Sequence, residues 1–556
     1  MIAEVYVLKR LPRRLAFFDY QIPDGLQVVR GSLVRITFRN QALRAIVARV
    51  KDVSEHEKLQ PINQVLDLNF LSDQELSIYE NLACELIQST ATVLDAVFRP
   101  ERKKASPAKQ ASLELISNKV RQSEINHITN SVQRIMASDR CFVETSDLVQ
   151  ASAIIATYLR AAKPKQQQLI LAPHLHDVRM LTATIAKHQN NLATLDSQAT
   201  GPQRADIAKD WRQGTTKTLI ATRLGALIPA KKLDTIFLVR SGSDEHASYD
   251  RNPRYDARYL AQQWHQAKKA KLVFFNVVPR VEDKIDFEDT QEIDLALFPK
   301  TIVVDLKEEI KKDGYTILSE SLLEQINQAL SDKKQVLCSY NYKGQNLQQK
   351  GVGNKKVEAM LKELYPNKKI VRVEKNHTLT EGAIEQADII LATQFYFENI
   401  YNPFLKRNVG LVVELMADLG LSEPFYNATE NTLIKLLELR GIAWRAQCPL
   451  VVQTWSIGLI KQMLDTPHGI LQAESDIRRI MNYPPYGRIW RISYRGSDPG
   501  LTALEGQIKQ AAPLAEIIDH DNQLEIRSSK EQIANISQLL QNIDDSFIIE
   551  VNPIRK

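Results

Sequence analysis

The first 70 residues are patterned as short strands. The runs EVYVLKRL, RLAFFDYQI, SLVRITF and RAIVARV are rich in β-branched and aromatic residues and are broken by Pro23-Asp24-Gly25 and Gly31. This pattern predicts a small β-barrel or sandwich. Residues 72–98 switch to helical spacing, with Ser72 placed as an N-cap. RPERKKASPAKQ follows as a basic, proline-punctuated linker. From about residue 120 to 300 buried strands alternate with helices: QLILAP (168–173), TLIATR (218–223), TIFLVR (235–240) and KLVFFNVV (271–278). The alternation restarts at 301 with TIVVDL, QVLCSY, KIVRVE, DIILATQ, GLVVEL and LVVQTW, and runs to about 465. Two such blocks predict two parallel-sheet α/β domains in tandem. Residues 466–556 predict a compact α+β tail that opens with a helix and the turn NYPPYGR. There is no short-period repeat and no low-complexity segment.

A chain of 556 residues is too long for one core, and 44% hydrophobic with 25% charged residues suits a globular protein. No apolar run reaches the roughly 18 residues that suggest a membrane span, and MIAEVYVLKR lacks the shape of a signal peptide. The expected location is the cytoplasm, associated with the nucleoid. Cys84, Cys141, Cys338 and Cys448 lie far apart with no CxxC pair, so neither a disulfide framework nor a zinc knuckle is legible. The net charge of +6 is mild, but its placement is informative. Residues 1–50 hold nine Lys/Arg and three Asp/Glu, a local +6 that equals the excess of the whole chain. A second basic cluster follows at Arg99, Arg102, Lys103, Lys104 and Lys109. Such a concentration suits a phosphate backbone, or a solvated charged face.

Tandem α/β lobes commonly clamp a nucleotide, which requires a glycine-rich loop and a lysine for the phosphates. No glycine occurs between Gly31 and Gly201, and CFVETSDLVQASAIIATYL (141–159), which opens the first lobe, also lacks the lysine. Magnesium would require a carboxylate at the end of strand 235–240. Arg240 stands there, and Asp244, Glu245 and His246 follow in a predicted surface loop. His174 and His176 in APHLHD read as loop histidines. GxSxG, HExxH and EF-hand patterns are absent. No catalytic residue and no metal ligand is therefore assigned. KRLPRRLAFFDY interleaves Arg13 and Arg14 with Phe17, Phe18 and Tyr20, a pattern suited to phosphate pairing and base stacking, or to a hairpin whose aromatics are core. RNPRYDARYLAQQWHQAKK (251–269) is a second such segment, which also reads as an amphipathic helix face.

In this order along the chain, five segments resemble the PriA family of bacterial replication restart. RRLAFFDYQIPDGLQVVRGSLVRITF resembles its 3′-end DNA-binding domain. WRQGTTKTLIATRLGALIPAKKLDTIFLV and DEHASYDRNPRYDARYLA resemble its first helicase lobe, and VGLVVELMADLGLSEPFYNATENTLIKLL its second. ESDIRRIMNYPPYGRIWRISY resembles its C-terminal signature, and the ending IIEVNPIRK echoes the family's close. The departures are equally specific. The family's phosphate loop and metal aspartate are missing. ELRGIAWR keeps one nucleotide-facing arginine, Arg445, while the other is Ile442. The second-lobe GTQMIAKG has become ATQFYFEN. The eight-cysteine zinc module is reduced to the short join between NYKG (341–344) and GVGNKK (351–356), and residues 99–120 leave no room for a winged helix.

The resemblance implies a multi-domain α/β chain. Residues 1–98 would form a 3′ DNA-binding β-barrel with a helical tail and 99–120 a basic linker. Residues 121–300 and 301–465 would form two degenerate RecA-like helicase lobes, and 466–556 a C-terminal domain. It implies a 3′-end site at Phe18, Asp19 and Tyr20, in which Asp19 accepts a hydrogen bond from a terminal 3′-hydroxyl. A family glycine at this site is replaced by Arg39, and a pocket lysine by Gln60, with Lys58 as a possible substitute. Arg13, Arg14 and Arg39 would hold the DNA backbone, joined by Arg223, Arg254 and Arg258 in the first lobe. The implied partners are forked, single-stranded or 3′-ended DNA, a replicative helicase or its loader, and a single-stranded-DNA-binding protein. ATP, magnesium and zinc belong to the family, but their motifs are absent from this sequence, so no cofactor is expected. Two alternatives stay open: an ATP-dependent 3′–5′ helicase with divergent motifs, and a protein-only adaptor.

Overall fold

The structure is a computed structural model. It describes residues 1–98, 121–162, 166–248, 252–287, 290–293, 298, 301–313, 317–341, 353–377, 379–400, 408–496, 500–520 and 522–553. The basic linker and the join between NYKG and GVGNKK, expected to be what remains of a zinc module, lie outside the described residues.

Five antiparallel strands come first: β1 (Ile2–Val7), β2 (Phe18–Gln21), β3 (Leu33–Phe38), β4 (Gln41–Lys51) and β5 (Gln64–Asp67), in the order β2-β1-β4-β3-β5. A bridge between Gln21 and Pro61 draws the two edges together, which curls the sheet toward a barrel. Alternation places Val5, Val7, Tyr20, Val34, Ile36 and Val47 inside. The strand Gln64–Asp67 is short and half polar, and the hydrophobic pattern does not mark it. The helix Asp73–Glu85 starts at a capping box between Ser72 and Glu75. It fixes the barrel to the next domain: Tyr79 is fully buried against Trp264, and its hydroxyl donates to Leu227 O at 2.7 Å. Burial of a side chain of this kind stabilises the contact by roughly 1.5–3 kcal/mol.

The first lobe has seven strands: β6 (Arg140–Glu144), β7 (Gln167–Leu171), β8 (Leu192–Leu195), β9 (Thr218–Ala221), β10 (Leu233–Val239), β11 (Lys271–Asn276) and β12 (Thr290–Gln291). They are ordered β12-β6-β11-β10-β7-β9-β8, and every pair is parallel. The second lobe has β13 (Thr301–Asp305), β14 (Gln335–Ser339), β15 (Ile370–Val373), β16 (Ile389–Ala392), β17 (Val409–Glu414) and β18 (Leu450–Thr454). Their order is β13-β18-β17-β14-β16-β15, again all parallel. Parallel strands with helical crossovers bury both faces, and for that reason the runs of Val, Ile and Leu are continuous. An antiparallel sheet closes the chain: β19 (Gly487–Tyr494), β20 (Glu516–His520), β21 (Gln523–Ser529) and β22 (Phe547–Val551), ordered β20-β21-β19-β22. The helices Gly500–Ala511 and Ile533–Asn542 pack on it. Among the described residues no helix is long and apolar enough to cross a membrane.

Candidate nucleic-acid interface and the interlobe cleft

On β2 the two-residue period separates the trio Phe18, Asp19 and Tyr20. Tyr20 points into the barrel, 4% exposed, and its hydroxyl donates to Thr37 O at 2.8 Å. Phe18 is half-buried with its ring edge-on to Phe38 at 4.9 Å. Tyr20 is thus a core residue, and Asp19 alone lies on the opposite face. It pairs across the strands with Glu4, which in turn faces Arg49. Asp19 accepts from the Ser54 hydroxyl at 2.5 Å and pairs with Lys51 Nζ at 2.9 Å. Burial acts to raise its pKa, but the Ser54 hydrogen bond and Lys51 outweigh it and hold the carboxyl below its usual range. Arg49, Lys51 and Ser54, which the sequence reading did not select, complete this polar face. Their signal was the alternation of Arg49 and Lys51 along β4.

Arg39 and Asn40 form the tip of the β3–β4 hairpin with φ of 46° and 61°. Both lie in the left-handed region that a two-residue turn of this twist demands, a region that favours glycine. Arg39 is exposed, with its guanidinium 5.6 Å from the Phe38 ring. Arg14 is exposed, as is Phe17, over which Arg49 stacks at 5.6 Å. Gln60 and Lys58 lie beside β2: Gln60 O accepts from Gln21 N at 2.9 Å, and Lys58 is exposed.

The other expected phosphate contacts are corrected by their surroundings. Arg13 is 9% exposed, and its guanidinium bonds Asp545 at 3.3 Å and Phe547 O at 2.5 Å, so it fastens the barrel to the terminal sheet. Arg254 pairs with Glu550 of the same sheet. Arg258 is 6% exposed and held by Asp256 at 2.7 Å and Ser241 O at 2.9 Å. Tyr255 and Ala257 are buried as well, so the RYDAR segment is interior structure. Arg223 is half-buried, and its guanidinium donates to Glu245 O at 3.2 Å.

DEH is also less exposed than a surface loop. Asp244–His246 form one 3-10 turn; His246 is fully buried, its ring 3.0 Å from Val239 O, and burial pushes its pKa down to about 3. His174 precedes the helix Leu175–Ile185 and is 5% exposed. Among the described residues no group of His, Cys, Asp and Glu could hold a metal ion.

The carboxyl ends of β6 and β10 open onto the crevice between the lobes, where ligands of open α/β sheets bind. Thr145, Ser146 and Asp147 follow β6 in the place of the phosphate loop. Asp147 holds Arg445 of the second lobe through Nε at 2.6 Å and Nη2 at 2.8 Å. The fully buried Glu124 takes the rest of the same guanidinium at 2.9 Å. Arg240, at the end of β10, reaches Glu438 of the second lobe at 2.9 Å and Asp177 of its own lobe at 3.3 Å. Burial raises the Asp177 carboxyl to about 6 although Arg240 opposes the shift. Gly441 lies so near that a Cβ would stand 1.9 Å from Ser146 O, and one on Gly242 would meet Ile434 at 2.8 Å. The cavity between these residues measures about 70 Å³. Carboxylates where phosphate would lie, and a guanidinium where a metal carboxylate would stand, do not fit ATP and magnesium.

The terminal helix Pro467–Ile480 bolts the same junction. Its Arg478 is fully buried and reaches Glu430 of the second lobe at 3.2 Å and Glu282 of the first at 3.4 Å. His468 pairs with Glu144 at 3.0 Å.

The sequence profile of the PriA 3′DNA-binding domain (3′BD) matches residues 7–99. Curated relatives named replication restart protein PriA align with most of the chain. That of Rickettsia conorii is 22% identical over 86% of this chain and 85% of its own length. That of Rickettsia typhi is 23% identical over 90% and 88%. Over most of its length the chain is similar to replication restart protein PriA. The PriA of Bacillus subtilis is 21% identical over 64% of this chain and 52% of its own length. Among solved structures, RecG bound to a three-way DNA junction aligns with 65% of this chain and 47% of its own, with 13% identity and a TM-score of 0.39. A DEAD box protein from Methanococcus jannaschii aligns with 65% of this chain and 96% of its own, with 12% identity and a TM-score of 0.34. The PriA 3′BD match covers β2 to β5, and with them Asp19 and Arg39.

Proposed function

We propose that the chain binds stalled-fork or 3′-ended DNA during replication restart and promotes loading of a replicative helicase without ATP-driven unwinding. Asp19 would accept the hydrogen bond of a terminal 3′-hydroxyl, with Arg14 and Arg39 on the adjoining backbone. The lobes would serve as a fixed scaffold for DNA and for the helicase or its loader, with a single-stranded-DNA-binding protein as a further partner. The work would take place in the cytoplasm, at the nucleoid, with no ATP, magnesium or zinc required. One observation carries the ATP-independent part: Asp147 and Glu124 hold Arg445 where a nucleotide's phosphates would need room.

The runner-up is a helicase that uses divergent motifs. An equilibrium titration with labelled ATP and magnesium, with and without fork DNA, separates the two. Saturable micromolar binding, or DNA-stimulated hydrolysis, overturns the scaffold reading. A mobility shift with fork DNA at low salt separates it from a protein-only adaptor, which would give none.

A further inference from the structure

A large recess lies away from both regions, between the barrel and the first lobe. It measures about 1230 Å³, above the roughly 300–1,000 Å³ of small-molecule sites. Its walls come from the segment before β3, Arg44 of β4, the end of β5, the helices Asp73–Glu85, Thr90–Phe98 and Gly201–Gln213, and the segment that joins β9 to β10. Seven Lys/Arg line it, against three Asp/Glu.

Two of those carboxylates are matched by cations within the recess: Asp73 by Arg30 at 3.7 Å and Glu75 by Lys268 at 2.6 Å. Arg44, Arg204, Lys209, Arg212 and Lys231 also line it, with Asp67; Arg44 donates to Phe98 O, Arg204 to Ser197 O at 3.1 Å and Arg212 to Phe70 O at 2.5 Å. Lys209 and Lys231 are exposed. Arg44 is half-buried, and its Nε has no hydrogen-bond partner. The floor is aromatic: Phe70 and Phe98 pack edge-on at 5.1 Å, and Arg212 stacks on Phe70 at 3.9 Å. A cationic trough whose floor carries the Arg212 guanidinium, stacked on Phe70 and 5.5 Å from Phe98, fits a chain of phosphates with unpaired bases, which can follow a narrow floor and stack on the guanidinium plane. A small anion would leave most of this volume empty, and duplex bases are unavailable for stacking.

We propose that this recess binds a single strand of nucleic acid, DNA if the reading above holds, with Lys209 and Lys231 as backbone contacts and the Arg212 guanidinium, backed by Phe70, as the base platform. The inference rests on that reading only for the kind of strand.

The test is the salt dependence of binding of an unstructured single-stranded DNA oligonucleotide to the full chain, compared with the Lys209→Gln/Lys231→Gln variant and with Lys509→Gln as a control on the terminal domain. Each lost phosphate contact on a single strand flattens the slope of log K against log salt by about 0.7. The double variant should lose about 1.4 in slope and roughly 25-fold in affinity near 0.1 M salt, and the control should lose neither. Acylation of Lys209 and Lys231 should slow when the oligonucleotide is bound. A wild-type slope in the double variant, or unprotected lysines, overturns the proposal. An equal slope change on blunt duplex overturns the single-strand assignment. The same loss on single-stranded RNA, with stronger binding than to DNA, keeps the recess and overturns DNA as its strand. Absence of any nucleic-acid binding by the wild-type chain overturns both this proposal and the proposed function, whereas binding with an unchanged slope overturns the recess alone.

Discussion

Replacing Arg445 with methionine keeps most of the side-chain volume and removes the charge. Glu124, fully buried, and Asp147, 10% exposed, both on the first lobe, would then lose the guanidinium that bonds them across the cleft and keep only the nearby charge of Arg121. Removing one partner of a buried ion pair costs about 3–5 kcal/mol, because the remaining charge is desolvated and unmatched. At about 2–4 °C per kcal/mol for a domain of this size, the transition that unfolds the lobes should fall by roughly 6–20 °C. Differential scanning calorimetry of the full chain resolves that transition from those of the barrel and the terminal domain. Arg445→Met combined with Glu124→Gln and Asp147→Asn should recover much of the loss, since the cost lies in stranded charge rather than in lost packing. The effect should change little between low and moderate salt, because buried pairs are weakly screened. A shift of less than about 2 °C would give the pair only the value of a surface salt bridge and would refute the argument that these ions hold the lobes together.

Asp177 is raised to about 6, so between about pH 4 and 6 the folded chain holds a proton that the unfolded chain has released. Stability should therefore fall as pH rises through that window, and Asp177→Asn should remove up to about 1.4 kcal/mol per pH unit of this slope, as measured by urea denaturation at a series of pH values. His468 is raised by its hydrogen bond to Glu144, so its contribution is complete below its unfolded value and disappears as pH rises through the folded one. His468→Gln should lower stability at pH 6 and leave it unchanged at pH 9. Asp19→Ala should weaken binding to forks with a free 3′-hydroxyl roughly tenfold or more, the value of a hydrogen bond to a charged acceptor. Forks with that end blocked should be affected less, and equal losses in a fluorescence-anisotropy titration would remove Asp19 from the 3′-end site.

The second lobe was fully legible in its strands, because six runs of Val, Ile and Leu became the six strands of its sheet. The first was less so: Leu192–Leu195 and Thr290–Gln291 are too short to carry a period. The basic segments were misleading for a different reason. Whether an arginine meets phosphate or protein depends on residues far away in sequence, and Arg13 finds its carboxylate 532 positions on. Arg445 likewise finds Glu124 across 321 positions. The absence of glycine and lysine after β6 is visible in the sequence. That Asp147 and Glu124 bind Arg445 there required the fold. Tyr20 illustrates the limit of a motif: the alternation that makes β2 a strand also turns that ring into the core.

The central claim is that fork binding and nucleotide binding have been separated in this chain. Its most direct measurement is a paired titration of the same preparation with labelled fork DNA and with labelled ATP in magnesium. The account predicts saturable binding of the fork and no saturable binding of ATP at millimolar concentrations, whether or not the fork is present. Micromolar ATP binding, or ATP turnover stimulated by the fork, would contradict it.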